Sequence, residues 1–216
     1  FIVGNGTTIA GAVVDSGEFD WSNGRFPGIA EPSSAYHGLR FHETFGVYGL
    51  LMKLRAETLR DLGAVLAPFN AFLLLAGLET LPVRMERHCA NAMGVAKFLR
   101  DHPKVAWVSY PGLPDSPYHA LAGRYMPKGA GSLLAFGIEG GYEAGVKFIE
   151  KLTFVSHLAN IGDAKSLVIH PASTTHRQLS EEDQKKAGVP PDMVRLSIGL
   201  ETLDDILWDI GQALDD

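Results

Sequence analysis

The sequence predicts an α/β fold from three features. Apolar runs of strand length alternate with helical stretches after Pro103, a long amphipathic pattern occupies residues 82–101, and hydrophobic residues make up 46 % of the chain. With 216 residues and only 20 % of them charged, the chain can build a sizeable core, which excludes wholesale disorder. Nineteen Lys and Arg against 25 Asp and Glu leave a formal net charge of −6. That balance argues against a nucleic-acid or anionic-membrane surface, both of which need clustered positive charge. The longest apolar stretch, residues 64–78, is interrupted by Pro68 and Asn70 and falls short of the roughly 20 apolar residues of a spanning helix. A single cysteine, Cys89, excludes an intramolecular disulfide and any multi-cysteine metal site, and fits a reducing cytoplasm.

In chain order, Phe1-Ile2-Val3-Gly4-Asn5-Gly6 is an apolar run going straight into glycines, which reads as a segment of a longer protein. Gly4, Gly6 and Gly11 lack the spacing of a dinucleotide loop and any Gly-Lys-Ser/Thr, so a glycine-rich turn is the reading there. Residues 8–14 read as a buried strand stopped by the turn Asp15-Ser16-Gly17. Residues 18–42 have no period but carry Phe19, Trp21, Phe26, Tyr36 and Phe41, which are expected to pack on another surface such as a second subunit. A helix over 45–62 stops at Gly63, and a second over 70–78 is almost wholly apolar, hence expected to be buried all round.

The helix over 82–101 carries its apolar stripe through Leu81, Met85, Cys89, Ala92, Ala96 and Leu99, and Pro103 closes it. Cys89 lies on that stripe and reads as an inert buried thiol, and His88 beside it as a hydrogen-bonded structural histidine. Strands follow at 105–110, 132–138, 166–169 and 193–198, with a helix at 143–151. Ser180-Glu181-Glu182-Asp183 is a capping start for a short helix that Gly188 and Pro190 stop. The last helix, 204–214, opens on Asp204 and Asp205, where the helix dipole favours acids, and its acidic face reads as solvated.

Two places concentrate chemistry. In the run Met193 to Gly199, strand alternation puts Val194, Leu196 and Ile198 on one face and Arg195 and Ser197 on the other. A guanidinium in so apolar a run needs an anion, either an internal acid or a substrate carboxylate. The stretch from Asn160 to His176 gathers hydroxyls, an amide and two imidazoles into a polar pocket wall. The spacing of His170 and His176 does not suit a zinc site, and no nucleophile–base–orienter set is assignable within the stretch.

Ser166-Leu167-Val168-Ile169-His170-Pro171-Ala172-Ser173-Thr174-Thr175-His176, followed by Val194-Arg195-Leu196-Ser197-Ile198-Gly199-Leu200-Glu201, resembles the C-terminal signature of the Cys/Met-metabolism enzymes that use pyridoxal phosphate. Thr7-Thr8-Ile9-Ala10-Gly11, Pro68-Phe69-Asn70-Ala71-Phe72 and Arg84-Met85-Glu86-Arg87-His88 are similar to the O-acetylhomoserine sulfhydrylases within that family. The aromatic segment 18–42 also looks like an insertion of that subgroup. Asn5 and Ala67 depart from the family, which commonly has His and Ser there.

The resemblance implies a fold-type-I PLP-dependent transferase (aspartate aminotransferase-like), with residues 1–78 in the large cofactor domain and 79–216 in the C-terminal small domain. It implies pyridoxal 5'-phosphate as cofactor, on a Schiff-base lysine immediately before Phe1, and no catalytic residue inside the chain. It assigns Arg195 to the substrate carboxylate and Asn160 to its support, with Ser166 and Thr175 in the same wall. The implied reaction is γ-replacement of an amino-acid ester, O-acetylhomoserine, by sulfide or methanethiol, giving homocysteine or methionine and acetate. A γ-lyase of the same family and a noncatalytic amino-acid-binding chain are the alternatives. A cytoplasmic homo-oligomer, a dimer of dimers, completes the expectation.

Overall fold

A computed structural model describes residues 1–215. The chain forms two compact units, Thr8–Phe72 on the one hand, and Phe1–Thr7 together with the chain from Leu73 onward on the other.

The first of these units is helical and short-ranged. Helices α1 (Pro27–Ala30) and α2 (Phe41–Phe45) lead through a 3₁₀ turn into α3 (Gly49–Lys53), a π-helical stretch Leu54–Leu59 and α4 (Arg60–Leu62). The expected helix 45–62 is therefore broken into three hydrogen-bonding patterns, and it ends as expected at Gly63, which takes a left-handed φ of 65°. The aromatic segment packs largely on itself. Phe19, Trp21 and Phe26 stack with centroids 4.6–5.4 Å apart, and buried Phe41 carries Tyr36 on one edge and the Lys53 ammonium over its face. Residues 8–14 are not a buried strand. They pair with no strand among the described residues, and Ile9 and Val14 are 89 % and 90 % exposed.

Helix α5 (Pro68–Glu79) buries no residue, against the expectation of burial all round; Phe72 and Leu75 are 62 % and 64 % exposed. An apolar composition without periodicity names no face to bury, and no layer of these units covers this helix completely.

The other unit is a five-stranded sheet with helices on one face. Its strands are β1 (Val105–Ser109), β2 (Leu133–Ile138), β3 (Ser156–His157), β4 (Leu167–Ile169) and β5 (Met193–Ser197), in the spatial order β1-β2-β5-β4-β3. All neighbours are antiparallel except β3 and β4. Helices α6 (Leu81–Arg100), α8 (Gly141–Lys151) and α10 (Leu203–Asp215) cover the sheet, joined by the peripheral α7 (His119–Tyr125) and α9 (Glu181–Lys186). Ala92, Val95 and Leu99 of α6, Phe148 of α8, and Ile206 and Ile210 of α10 close the core over Phe136, Val194 and Leu196. The strands expected after Pro103 and the helices α6, α8, α9 and α10 are present, whereas α7 and the two-residue β3 gave no periodic signal.

Two details of that core correct the sequence reading. The buried stripe of α6 runs through His88, Ala92, Val95 and Leu99, which leaves Cys89 on its shoulder, half-buried rather than sealed. The acidic face of α10 is not wholly solvated, since Asp209 is fully buried.

Candidate active site: the carboxylate wall

Strand β5 is the centre of the sheet, so Arg195 is flanked on both sides, by Ala135 of β2 and Ile169 of β4. Alternation turns Val194 and Leu196 into the core and leaves Arg195 and Ser197 on the face the helices do not cover. Arg195 is half-buried, and the one side-chain hydrogen bond it makes among the described residues, from Nη2 to the Asn160 carbonyl, is long at 3.5 Å. No ion pair with an acid is formed by Arg195 among the described residues. Burial pulls its pKa down from the ordinary guanidinium value with no acid to oppose it. Of the two readings of this arginine, the internal salt bridge is not formed among the described residues.

The turn facing it is built by Asn160 to Asp163. Asn160 Oδ1 accepts the Ile161 N–H at 2.9 Å, which leaves the amide nitrogen Nδ2 without an acceptor among the described residues. Gly162 donates its N–H to Ser197 Oγ at 3.1 Å, tying the turn to the strand position two beyond Arg195. Gly162 needs its glycine twice. Its φ is +76°, and a Cβ there would lie 2.4 Å from the Phe1 nitrogen. The first residue of the chain is thus seated against the turn that faces Arg195.

Of the four expected wall residues, the structure brings Arg195 and Asn160 together. Ser166 is buried and its hydroxyl is already committed: it donates to Glu201 Oε2 at 2.9 Å and accepts the Gly199 N–H at 2.9 Å. Thr175 is exposed and bonds only its neighbour, His176 Nδ1, at 2.9 Å. No hydrogen bond links either residue to Arg195. His170 is fully buried between Ser173 Oγ and the Pro191 carbonyl, a structural staple rather than a ligand. No group of three or more His, Cys, Asp or Glu that could hold a metal occurs among the described residues.

Three further residues shape the site, and the sequence reading gave a role to His88 but none to Glu201 or Asn91. Glu201 anchors Ser166 through both its backbone N–H and its hydroxyl. From α6, His88 Nδ1 donates to the Ile198 carbonyl at 2.7 Å, and Asn91 Nδ2 donates to the carbonyls of Gly199 and Glu201. This holds the segment that leaves β5 by its backbone. His88 fulfils its expected structural role; burial lowers its pKa and keeps the ring neutral. Asn91 sits on a helix face of small apolar residues, and that polar intrusion was the one visible hint.

An O-acetyl-L-homoserine sulfhydrylase from Thermus thermophilus is 50 % identical over 214 residues, 99 % of this chain and 51 % of its own length. A homocysteine synthase from Schizosaccharomyces pombe is 52 % identical over the whole chain and 51 % of its own. The chain therefore spans about half the length of the curated relatives it matches. A crystal structure from Campylobacter jejuni, described as an O-acetylhomoserine (thiol)-lyase carrying N'-pyridoxyl-lysine-5'-monophosphate, superposes with a TM-score of 0.80 at 45 % identity, over 90 % of this chain and 46 % of that one. The architecture is accordingly that of the fold-type-I pyridoxal-phosphate enzymes. The family model of the Cys/Met metabolism PLP-dependent enzymes matches residues 1–215, and with about half of its residues shared with these relatives the chain belongs to that family.

Proposed function

We propose that this chain supplies the substrate-carboxylate wall of a pyridoxal-phosphate-dependent transferase. The enzyme converts O-acetylhomoserine and sulfide, or methanethiol, to homocysteine, or methionine, with release of acetate. The observation that carries the reading is Arg195, a half-buried guanidinium on a central strand with no acidic partner among the described residues and an open amide nitrogen, Asn160 Nδ2, on the turn beside it. That donor set fits an α-carboxylate, with the guanidinium fork taking both oxygens and the amide adding a third contact. The relatives' names support the ester substrate, and the pyridoxyl-lysine of the structural neighbour supports the cofactor.

When bound, pyridoxal phosphate supplies the electron sink for charge that develops on the substrate carbons. The residues of this chain orient the substrate. Arg195 and Asn160 hold its carboxylate, and Ser197 fixes the 160–163 turn through Gly162. A cofactor lysine immediately before Phe1 is part of the proposal, and Phe1 itself is seated against Gly162 of the wall's turn. Ser166 takes a positioning role through Gly199 and Glu201 in place of substrate contact, and Thr175 has no part in this reading. A homo-oligomer is part of the proposal, supported by the exposed apolar side chains of Phe69, Phe72 and Leu75. A reducing cytoplasm is supported by the single unpaired cysteine.

Steady-state kinetics of the full-length enzyme test it. Arg195→Ala is expected to lose about 2–4 kcal/mol of transition-state binding in kcat/KM, with Arg195→Lys restoring only part. An unchanged kcat/KM in folded Arg195→Ala overturns the assignment. Product analysis with and without sulfide separates γ-replacement from γ-elimination.

A further inference from the structure

Arg84 stands one turn into α6, where the positive end of the helix dipole disfavours a cation. It forms no ion pair with an acid among the described residues. Its guanidinium is nevertheless almost fully satisfied, by neutral oxygens alone. Nη1 donates to the Phe1 carbonyl at 2.6 Å, Nη2 to the carbonyls of Ile2 at 3.1 Å and Gly77 at 2.7 Å, and Nε to Thr80 Oγ1 at 3.1 Å.

The first segment is shaped to receive it. Gly4 has a φ of +83°, and a Cβ there would come within 2.5 Å of the guanidinium. Gly77, on the facing end of α5, would strike the Ile2 carbonyl at 2.4 Å if it bore a side chain. On the far side Ala164 donates its N–H to the Gly4 carbonyl at 2.7 Å, and the His88 ring meets Phe1 edge-on at 5.5 Å. Residues 1–6 are thus clasped between α6, the end of α5 and the 160–164 turn, with the Arg84 side chain holding two consecutive carbonyls, those of Phe1 and Ile2.

We propose that Arg84 is a positioning residue that sets the register of residues 1–6 against the carboxylate wall, and so fixes how far the residue preceding Phe1 lies from Arg195. The proposal rests on the functional reading above, which places the cofactor lysine before Phe1. Only a fork of fixed geometry bridges Phe1, Ile2 and Gly77 at once; an ammonium has three donors on one atom and cannot span them. The Arg84 side chain itself bonds neither Arg195 nor Asn160, whose turn is held to β5 independently by the Gly162–Ser197 hydrogen bond. Its loss is therefore expected to misplace the residue before Phe1 more than the substrate-carboxylate contacts.

The test uses the full-length enzyme with Arg84→Lys and Arg84→Ala, and Thr80→Val as a milder variant that removes one acceptor, should the first two fail to fold. Amide exchange of residues 2–6 is expected to accelerate about tenfold or more in the Arg84 variants. The visible absorbance of the lysine-bound cofactor should change its pH midpoint. The kcat should fall by roughly tenfold with KM for the amino-acid substrate changed less than about threefold. Folded variants with unaltered exchange and an unaltered absorbance midpoint overturn the proposal, as does a loss confined to KM. A wild-type enzyme without the cofactor band overturns the functional reading instead, and the exchange comparison still decides whether Arg84 holds the segment.

Discussion

Asp209 lies in α10 with no solvent exposure and receives four hydrogen bonds from one turn. The N–H and hydroxyl of Thr153 meet Oδ1 at 2.9 and 3.0 Å, and the N–H groups of Phe154 and Val155 meet Oδ2 at 3.0 and 2.8 Å. Desolvation by itself raises a carboxyl pKa, but here the donors outweigh it and the net shift is downward. A carboxylate whose folded pKa lies below its unfolded value adds stability that is fully present above about pH 4 and is lost as pH falls through the folded pKa. Asp209→Ala leaves the N–H groups of residues 153–155 without their acceptor, that of Val155 in a buried position, and should destabilise the protein by about 2–3 kcal/mol at neutral pH. Urea midpoints at pH 7 and near pH 3 check both statements, because the gap between wild type and variant should narrow in acid. None of this was readable from the helix pattern, which gives an acid on an amphipathic helix to solvent. The partners of Asp209, Ser166 and Arg84 lie about 55, 35 and 80 residues away in sequence, and a local pattern carries no information about them. The strand pattern marked Arg195 as an anomaly, a charge inside an apolar run, but could not say which anion meets it.

At the scale of elements, legibility followed periodicity. Strands β2 and β5 and helices α6, α8 and α10 each bury one face in the same core, so their alternation or 3.6-residue stripe was written into the sequence. The run 8–14 and helix α5 are apolar without that outcome, because burial needs a partner layer and the described residues leave both largely uncovered. Helix α9 shows the opposite case, an exposed element legible from its cap alone. Ser180 Oγ accepts the Asp183 N–H at 3.2 Å and donates to the Asp183 carboxylate at 2.7 Å. No residue of α9 is buried, so the cap and the acid-then-base charge order hold it more than packing does. Ser180→Ala should cost about 1 kcal/mol, felt as faster amide exchange across residues 181–187 with little change in the global midpoint. An equal loss in the global midpoint would mean that α9 is coupled to the core more tightly than its exposure allows.

For the molecule as a whole, the exposed apolar surface decides what residues 1–216 do when produced alone. Phe69, Phe72 and Leu75 of α5 and Ile9, Val13 and Val14 of the extended run all lie more than half in solvent, beyond the scattered apolar residues an ordinary surface carries. The C-terminal unit has its own core and should fold in isolation, with its sheet and α6, α8 and α10 melting cooperatively. The exposed residues should meanwhile drive concentration-dependent association and binding of an apolar dye. Phe72→Lys with Leu75→Lys should reduce both effects several-fold without moving the melting midpoint, since neither side chain belongs to the core. In the full-length enzyme the same pair is expected to weaken assembly, because the proposed oligomer would cover this face. Sedimentation and dye fluorescence on both forms check the contrast. The isolated chain, with its proposed carboxylate wall but without the proposed lysine, should show neither the cofactor's visible band nor turnover of O-acetylhomoserine. Turnover by residues 1–216 alone would place the covalent chemistry inside this chain and overturn the proposed division of labour between Arg195 and a lysine before Phe1.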